Sequence, residues 1–219
     1  MLQIVKDTSF EGAGIPFGVL EVRYPPKGEW DIRAFEQCKE NELRAIKAGA
    51  AGYDRKKDFG DEVYFRYFRG FKKTYPVMLQ LESVLLKDKP FPGFNPVYEV
   101  MFLAELRLRM LLGVHDVDKL QGPLVLFRGT EKAPFTGMGG RDAHIYPGDV
   151  SGKDDLGIIL SMLAGADNRT CVSPDTLHPA YFVFGVEGME NEPVNAALNL
   201  LERYVKTLAP GASLERAIV

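Results

Sequence analysis

Between Asn95 and Thr130 the chain runs NPVYEVMFLAELRLRMLLGVHDVDKLQGPLVLFRGT, which specifies a helix, a polar elbow and a buried strand in immediate succession. No other stretch constrains the fold as much. Asn95-Pro96 is a helix start: the Asn side chain caps free backbone amides, and proline at the first helical position forfeits no hydrogen bond. Val97, Val100, Met101, Ala104, Leu108 and Leu111 recur at three- and four-residue spacing and form one apolar face, which leaves Glu99, Glu105, Arg107 and Arg109 to reach water. Gly113 is the expected stop, because glycine takes the left-handed closing conformation without penalty. His115, Asp116 and Asp118 follow at once, on the expected turn before a strand from Pro123 to Arg128. Three ionisable groups at one elbow make it the place to look for chemistry.

The 219 residues, 46% hydrophobic and 11% aromatic, suffice to bury a proper core. A net charge of -3 argues against a protein that holds nucleic acid by overall electrostatics, since neutralising many phosphates demands a markedly basic surface. A local basic patch is compatible with it, and no DNA partner is expected. The two cysteines, Cys38 and Cys171, lie in no CxxC and near no His at ligand spacing, so they read as reduced thiols in a cytoplasmic protein. No basic region precedes a long apolar run, and no segment approaches the roughly 20 apolar residues that span a bilayer. Neither export nor a membrane is expected.

In chain order, LQIVKD and FGVLEVRY read as the two strands of a hairpin about the turn material EGAGIP. Asp31 opens a polar helix to about Ala48, and residues 49–60 are a loop or a helix end. In EVYFRYFRGFKKTY, residues 62–75, Arg66, Arg69, Lys72 and Lys73 interleave with six aromatic side chains. Such a segment either stacks unpaired bases and grips a phosphate backbone, or buries its aromatics as the stripe of an amphipathic helix. A helix over Val77 to Leu86 and a loop, KDKPFPGF, lead to Asn95. Residues 130–148 are glycine-rich and loop-like, yet GMGGR matches neither phosphate-binding glycine pattern. Beyond them come a charged turn, DVSGKDD, an apolar run, GIILSMLAG, that is a buried strand or a short helix, and a clear strand from Tyr181 to Val186. An amphipathic helix covers Pro193 to Leu208, and ASLERAIV is a peripheral tail or short helix. With no repeat and no composition shift, the expected fold is α/β (mixed α+β): one domain over 1–219, a buried mixed sheet flanked by helices.

No Ser lies in a GxSxG elbow, and the three histidines, His115, His144 and His178, show no metal-ligand spacing, so neither a hydrolase of that type nor a metal site is expected, and no cofactor. His115 and Asp118 read either as a base with its orienting carboxylate or as a backbone-bonded His beside a turn cap.

From about Tyr64 to Gly185 the order of motifs resembles the B3/B4 domain, the tRNA-binding and editing module of the phenylalanyl-tRNA synthetase beta subunit, in its free-standing form. The matching features are KKTYP, Glu82 ahead of KPFPGFNPV, the elbow GVHDVDKLQG, the strand LVLFRGT, and then PGDVSGKDDLGII, MLAG and ADNRTCVSPDT. The resemblance implies a B3/B4-like core at about 64–208 with the hairpin and helix of residues 1–60 packed on it. It implies a pocket for the acceptor end of tRNA, in which a mischarged amino acid is hydrolysed from its ester. His115 matches a pocket His and Gly165 a floor glycine; Asp118 would orient His115, while Asn95, Arg128, Arg169, Thr170, Arg69, Lys72 and Lys73 would contact the aminoacyl end or the tRNA. The family also uses a Glu on the later strand, and PAYFVFGV has none before Glu187. The readings to separate are therefore a trans-acting aminoacyl-tRNA deacylase, a non-catalytic RNA-binding or adaptor domain, and a small-molecule-binding protein on the same fold.

Overall fold

A computed structural model describes residues 1–60, 62–87, 89–93 and 95–219. Of the expected loop KDKPFPGF, Asp88 and Phe94 lie outside the described residues. The architecture is α/β, with helices packed against one mixed and one antiparallel sheet.

The two N-terminal strands do not form the expected hairpin. Strand β1 (Ile4–Lys6) runs parallel to β4 (Leu124–Arg128), whereas β2 (Phe17–Arg23) is an inner strand of the other sheet. The connection explains the difference: Asp7 accepts a hydrogen bond from the Ser9 amide at 2.8 Å and so caps a helical turn, α1 (Thr8–Glu11). A segment that holds its own helix is too long for a tight reversal.

The first sheet has the order β1-β4-β7-β8-β9, completed by β7 (Val150–Asp154), β8 (Gly157–Ser161) and β9 (Gly165–Ala166). The second sheet is wholly antiparallel; it runs from β11 (Ser213–Ile218) through β2 and β10 (Pro179–Phe184) to β3 (Leu112–Asp116). Every residue of β10 is buried, which is why PAYFVF shows no polar alternation. ASLERAIV is neither a loose tail nor a helix, because as β11 it pairs the outer edge of β2 from Arg23 to Gly18. Residues 130–148, expected as a loop, form a hairpin of β5 (Ala133–Gly137) and β6 (Arg141–Ile145). Gly139 and Gly140, both at φ 77, reverse the chain between the two strands.

Asp31 caps α2 (Ile32–Gly49), followed by α3 (Arg55–Phe59), α4 (Val63–Gly70) and α5 (Pro76–Leu85). On α4 the buried-stripe reading holds for Tyr64 and Phe68, and Tyr75 stacks on Tyr64 with ring centroids 5.3 Å apart. Helix α7 (Asn191–Leu208) lies against β2 and beside α2 and α6 (Pro96–Leu108).

Helix α6 departs most from its expected form. It is buried nearly all round, so Glu99 and Glu105 do not reach water. Glu99 is paired with Lys39 at 2.5 Å, an ion pair that excuses its burial; Glu105 has no such partner among the described residues. The helix also ends before Gly113. Arg109 closes it in the left-handed conformation at φ 57, held by its own amide on the Glu105 carbonyl and by Tyr75 Oη, which donates to its carbonyl at 2.7 Å. Gly113 lies in β3, and a Cβ there would sit 3.1 Å from Phe184 Cε2; close packing is its reason.

Candidate functional site

Helix α5, helix α6, strand β3 and the β8-β9 turn enclose a cavity of about 380 Å³. The volume suits an amino-acid-sized group. Most of its wall is apolar, with Met101, Leu112, Leu160 and Phe184 among the lining residues. The polar groups are few: Gln80, Tyr98, Glu105, His115, Ser161 and, from the hairpin β5-β6, Arg141.

His115 is fully within strand β3, not on a turn, and its exposure is 1%. The strand pairs it with Ala180 on one side and bridges it to Cys171 on the other, which fixes the backbone that carries the imidazole. Nδ1 lies 2.7 Å from Thr170 Oγ1. The Thr170 hydroxyl in turn donates to Asp167 Oδ1, and Asp167 also takes the Thr170 amide at 3.1 Å. A hydroxyl that donates to a carboxylate has only its lone pairs to offer the imidazole, so the proton resides on Nδ1 and Nε2 keeps its lone pair. Burial, aided by the Arg169 charge, pushes the imidazole down to about 4. It is neutral at pH 7. A neutral histidine with a fixed tautomer orients a water by accepting its hydrogen bond.

Asp118 does not orient His115. It lies in the short 3-10 turn Val117–Lys119 and bonds His178 Nδ1 at 2.7 Å, while His178 Nε2 meets Glu21 Oε1 at 2.8 Å. The turn carries the Asp118 side chain away from β3 and toward the start of β10. Asp116, between the two, accepts from Thr176 Oγ1 at 2.6 Å and is a structural tie.

The other expected contact residues divide into two sets. Gly165 lines the cavity at φ +84, and a Cβ there would stand 3.5 Å from Arg141 Nη2; Thr170 serves the site through His115. Asn95 and Arg169 are engaged internally. Asn95 is a buried cap that accepts from the Val97 amide at 3.0 Å and donates to Ser173 at 2.9 Å. Arg169 grips Asp154 through Nη2 at 2.7 and 2.8 Å and donates to the Lys119 carbonyl, so it holds the β7-β8 turn to the elbow. Arg128 lies on β4, 3.7 Å from Glu187. Arg69 and Lys72 are exposed at the end of α4. Lys73 Nζ is 5.2 Å from the ring centroid of Tyr146, with Lys132 Nζ at 5.9 Å from the same ring.

No protein-family model and no curated protein matches the sequence. Among solved structures, an N-terminal fragment of the phenylalanyl-tRNA synthetase beta-subunit from Pyrococcus horikoshii matches with a TM-score of 0.51 and 10% sequence identity. The two share a fold. The match covers 99% of this chain and 54% of that one, so the chain spans about half the length of the fragment. At this identity the likeness concerns the backbone and leaves side chains to be argued from their own geometry.

Sequence reasoning missed Glu105, Ser161 and Asp149. Glu105 Oε1 accepts from the Leu112 amide at 3.1 Å, and burial pushes its carboxyl up to about 8 against that single bond. Ser161 donates to Asp149 Oδ2 at 2.5 Å, and burial pushes Asp149 up to about 6, opposed by Ser161, the Leu163 amide and Tyr67. Glu105 shares its helix with Glu99 and Arg107, so nothing in the sequence singles it out. Nothing local marks Ser161 or Asp149. No helix among the described residues is long and apolar enough to cross a membrane, and among those residues no group of three or more His, Cys, Asp or Glu could hold a metal ion.

Proposed function

We propose that this chain is a B3/B4-type domain that receives the acceptor end of a tRNA and hydrolyses a mischarged amino acid from it in trans. The observation that carries the reading is His115: a buried, neutral imidazole in the wall of an amino-acid-sized cavity, with Nδ1 committed to Thr170 and no hydrogen bond to Nε2 among the described residues. Water positioned by Nε2 adds to the ester carbonyl carbon, the carbon-oxygen bond to the ribose breaks, and the ribose oxygen takes up the proton. Free amino acid and a tRNA with its terminal hydroxyl result. An imidazole near pKa 4 is a weak base, so its part is to hold the water in place while the reactive ester supplies the driving force.

Arg141 at the cavity and the Lys73-Tyr146-Lys132 group supply cations and an aromatic face suited to phosphate and base contacts, which a net charge of -3 requires to be local. The domain boundaries proposed with this reading are those of one unit over 1–219.

Binding without hydrolysis is the second reading, and it is favoured by β10, which gives the cavity Phe184 and no carboxylate. Incubating the protein with a panel of mischarged tRNAs separates the two. Amino acid release that His115→Ala abolishes supports the deacylase; tRNA binding with no release from any member leaves the binder.

A further inference from the structure

The α5-α6 wall of the cavity carries one buried acceptor without a donor and one buried carboxyl without a counter-ion among the described residues. Gln80 Oε1 is buried without a partner. Glu105 has one oxygen on the Leu112 amide, and no ion pair reaches it among the described residues. Their neighbours in the wall, Met101 and Leu111, offer neither donor nor charge. An unsatisfied buried amide oxygen and a buried carboxyl without a counter-ion both destabilise the free protein, and a ligand that serves both recovers that cost. The field of Glu105 also reaches Tyr98, the third polar group of this wall.

A ligand that serves both groups must bring at least two donors to this wall of the cavity. A hydroxyl has a single hydrogen, and an anionic group is repelled. A primary ammonium has three donors and a charge that lets Glu105 ionise. We infer that the α5-α6 wall is a subsite for a primary ammonium group, held by the Glu105 carboxylate and the Gln80 carbonyl. The inference rests on the reading of this cavity as an aminoacyl site for its source of ammonium, which is the α-ammonium of the aminoacyl ester or an amine at the end of its side chain. Burial supports the assignment, since it keeps Glu105 protonated when the subsite is empty and makes the carboxylate available once a cation enters.

The test needs no tRNA. Binding of phenylalaninamide, which carries only an α-ammonium, and of Nα-acetyl-lysinamide, which carries only a side-chain ammonium, is measured by calorimetry or by NMR shifts of cavity methyl groups. N-acetyl-phenylalaninamide and Nα-acetyl-norleucinamide are the uncharged counterparts. At least tenfold tighter binding of one ammonium compound over its counterpart is expected, lost in Glu105→Gln and reduced in Gln80→Leu; which compound shows it names the source. Equal affinity for charged and uncharged members, binding of neither, or a preference that survives Glu105→Gln overturns the subsite. A thermal melt reports whether each variant folds, and Gln80→Leu, on a different helix, provides the reading if Glu105→Gln does not. An ammonium preference without deacylation removes the enzymatic reading and keeps the subsite, and the reverse pattern removes the subsite alone.

Discussion

Thr170 Oγ1 stands 2.7 Å from His115 Nδ1 and hands its own proton to Asp167, so a threonine, not a carboxylate, fixes the imidazole of the candidate site. An aspartate in that place would raise the histidine's proton affinity by its charge. A hydroxyl orients the ring and leaves it neutral.

Thr170→Val keeps the volume and removes the hydroxyl, leaving Nδ1–H and Asp167 without their partner. A stability loss of about 1 to 3 kcal/mol is expected, with a fall in deacylation rate on the order of ten- to a hundredfold. Thr170→Ser restores both. Chemical denaturation and single-turnover rates check it, and a valine variant with the wild-type rate would remove the tautomer argument.

Glu105 gives the protein an unusual pH profile. Its carboxyl holds a proton to about 8 when folded and only to about 4.5 when unfolded, so in that interval the unfolded state binds fewer protons and stability falls as pH rises. At pH 7 the penalty is about 3 kcal/mol, from 1.36 kcal/mol per unit. Glu105→Gln should therefore stabilise the free protein by that order at pH 7 and flatten the slope between pH 5 and 8. Urea titrations at pH 5, 7 and 9 decide it: a wild-type profile already flat across that range contradicts a buried, unpaired Glu105.

His115 acts in the opposite sense and at lower pH. Its folded value near 4 lies below the ordinary 6.5, so the unfolded state takes up the proton first and stability falls as pH drops from 6.5 to 4. His115→Gln removes that acid-side loss. A melt series from pH 4 to 7 measures it, and an unchanged acid slope in the variant places the titration elsewhere.

Much of this was legible beforehand, and the failures have local causes. The caps Asp31 and Asn95 stand where expected, and the strand expected over Tyr181 to Val186 and the helix over Pro193 to Leu208 exist, each beginning two residues earlier, because their signals lie within a few residues. Strand partners do not. That Ile4 lies beside Leu124, and that Phe17 is paired through Phe184, depends on contacts distant in sequence, and an apolar run carries no address. Helix α6 misled for a related reason. Glu99 and Glu105 look solvated when the partner surfaces are unknown, yet one meets Lys39 and the other meets a cavity. At the site, His115 was found from its elbow, and Thr170 came with the resemblance. The pairing of Asp118 went astray because the 3-10 turn after Asp116 rotates its side chain toward His178.

Asp118→Asn should accordingly leave deacylation within a factor of two or so, and since the side chain is 72% exposed its loss should cost no more than about 1 kcal/mol. Glu21→Gln, at the buried end of the same bridge, should cost more, on the order of 1 to 3 kcal/mol. A rate collapse in Asp118→Asn would return that residue to the mechanism.

Affinity for tRNA should weaken as salt rises, and Lys73→Ala and Lys132→Ala should each reduce the slope of log K against log salt by about 1. Filter binding over a salt series measures this. An unchanged slope in both variants would place the tRNA surface away from Tyr146.

The account stands most directly on deacylation of mischarged tRNA, measured as amino acid release above buffer hydrolysis for the wild type and for His115→Ala, with melts to confirm that both fold. It predicts release from at least one member of the panel by the wild type and none above background by the variant. Equal release by both proteins, or none by either, contradicts it.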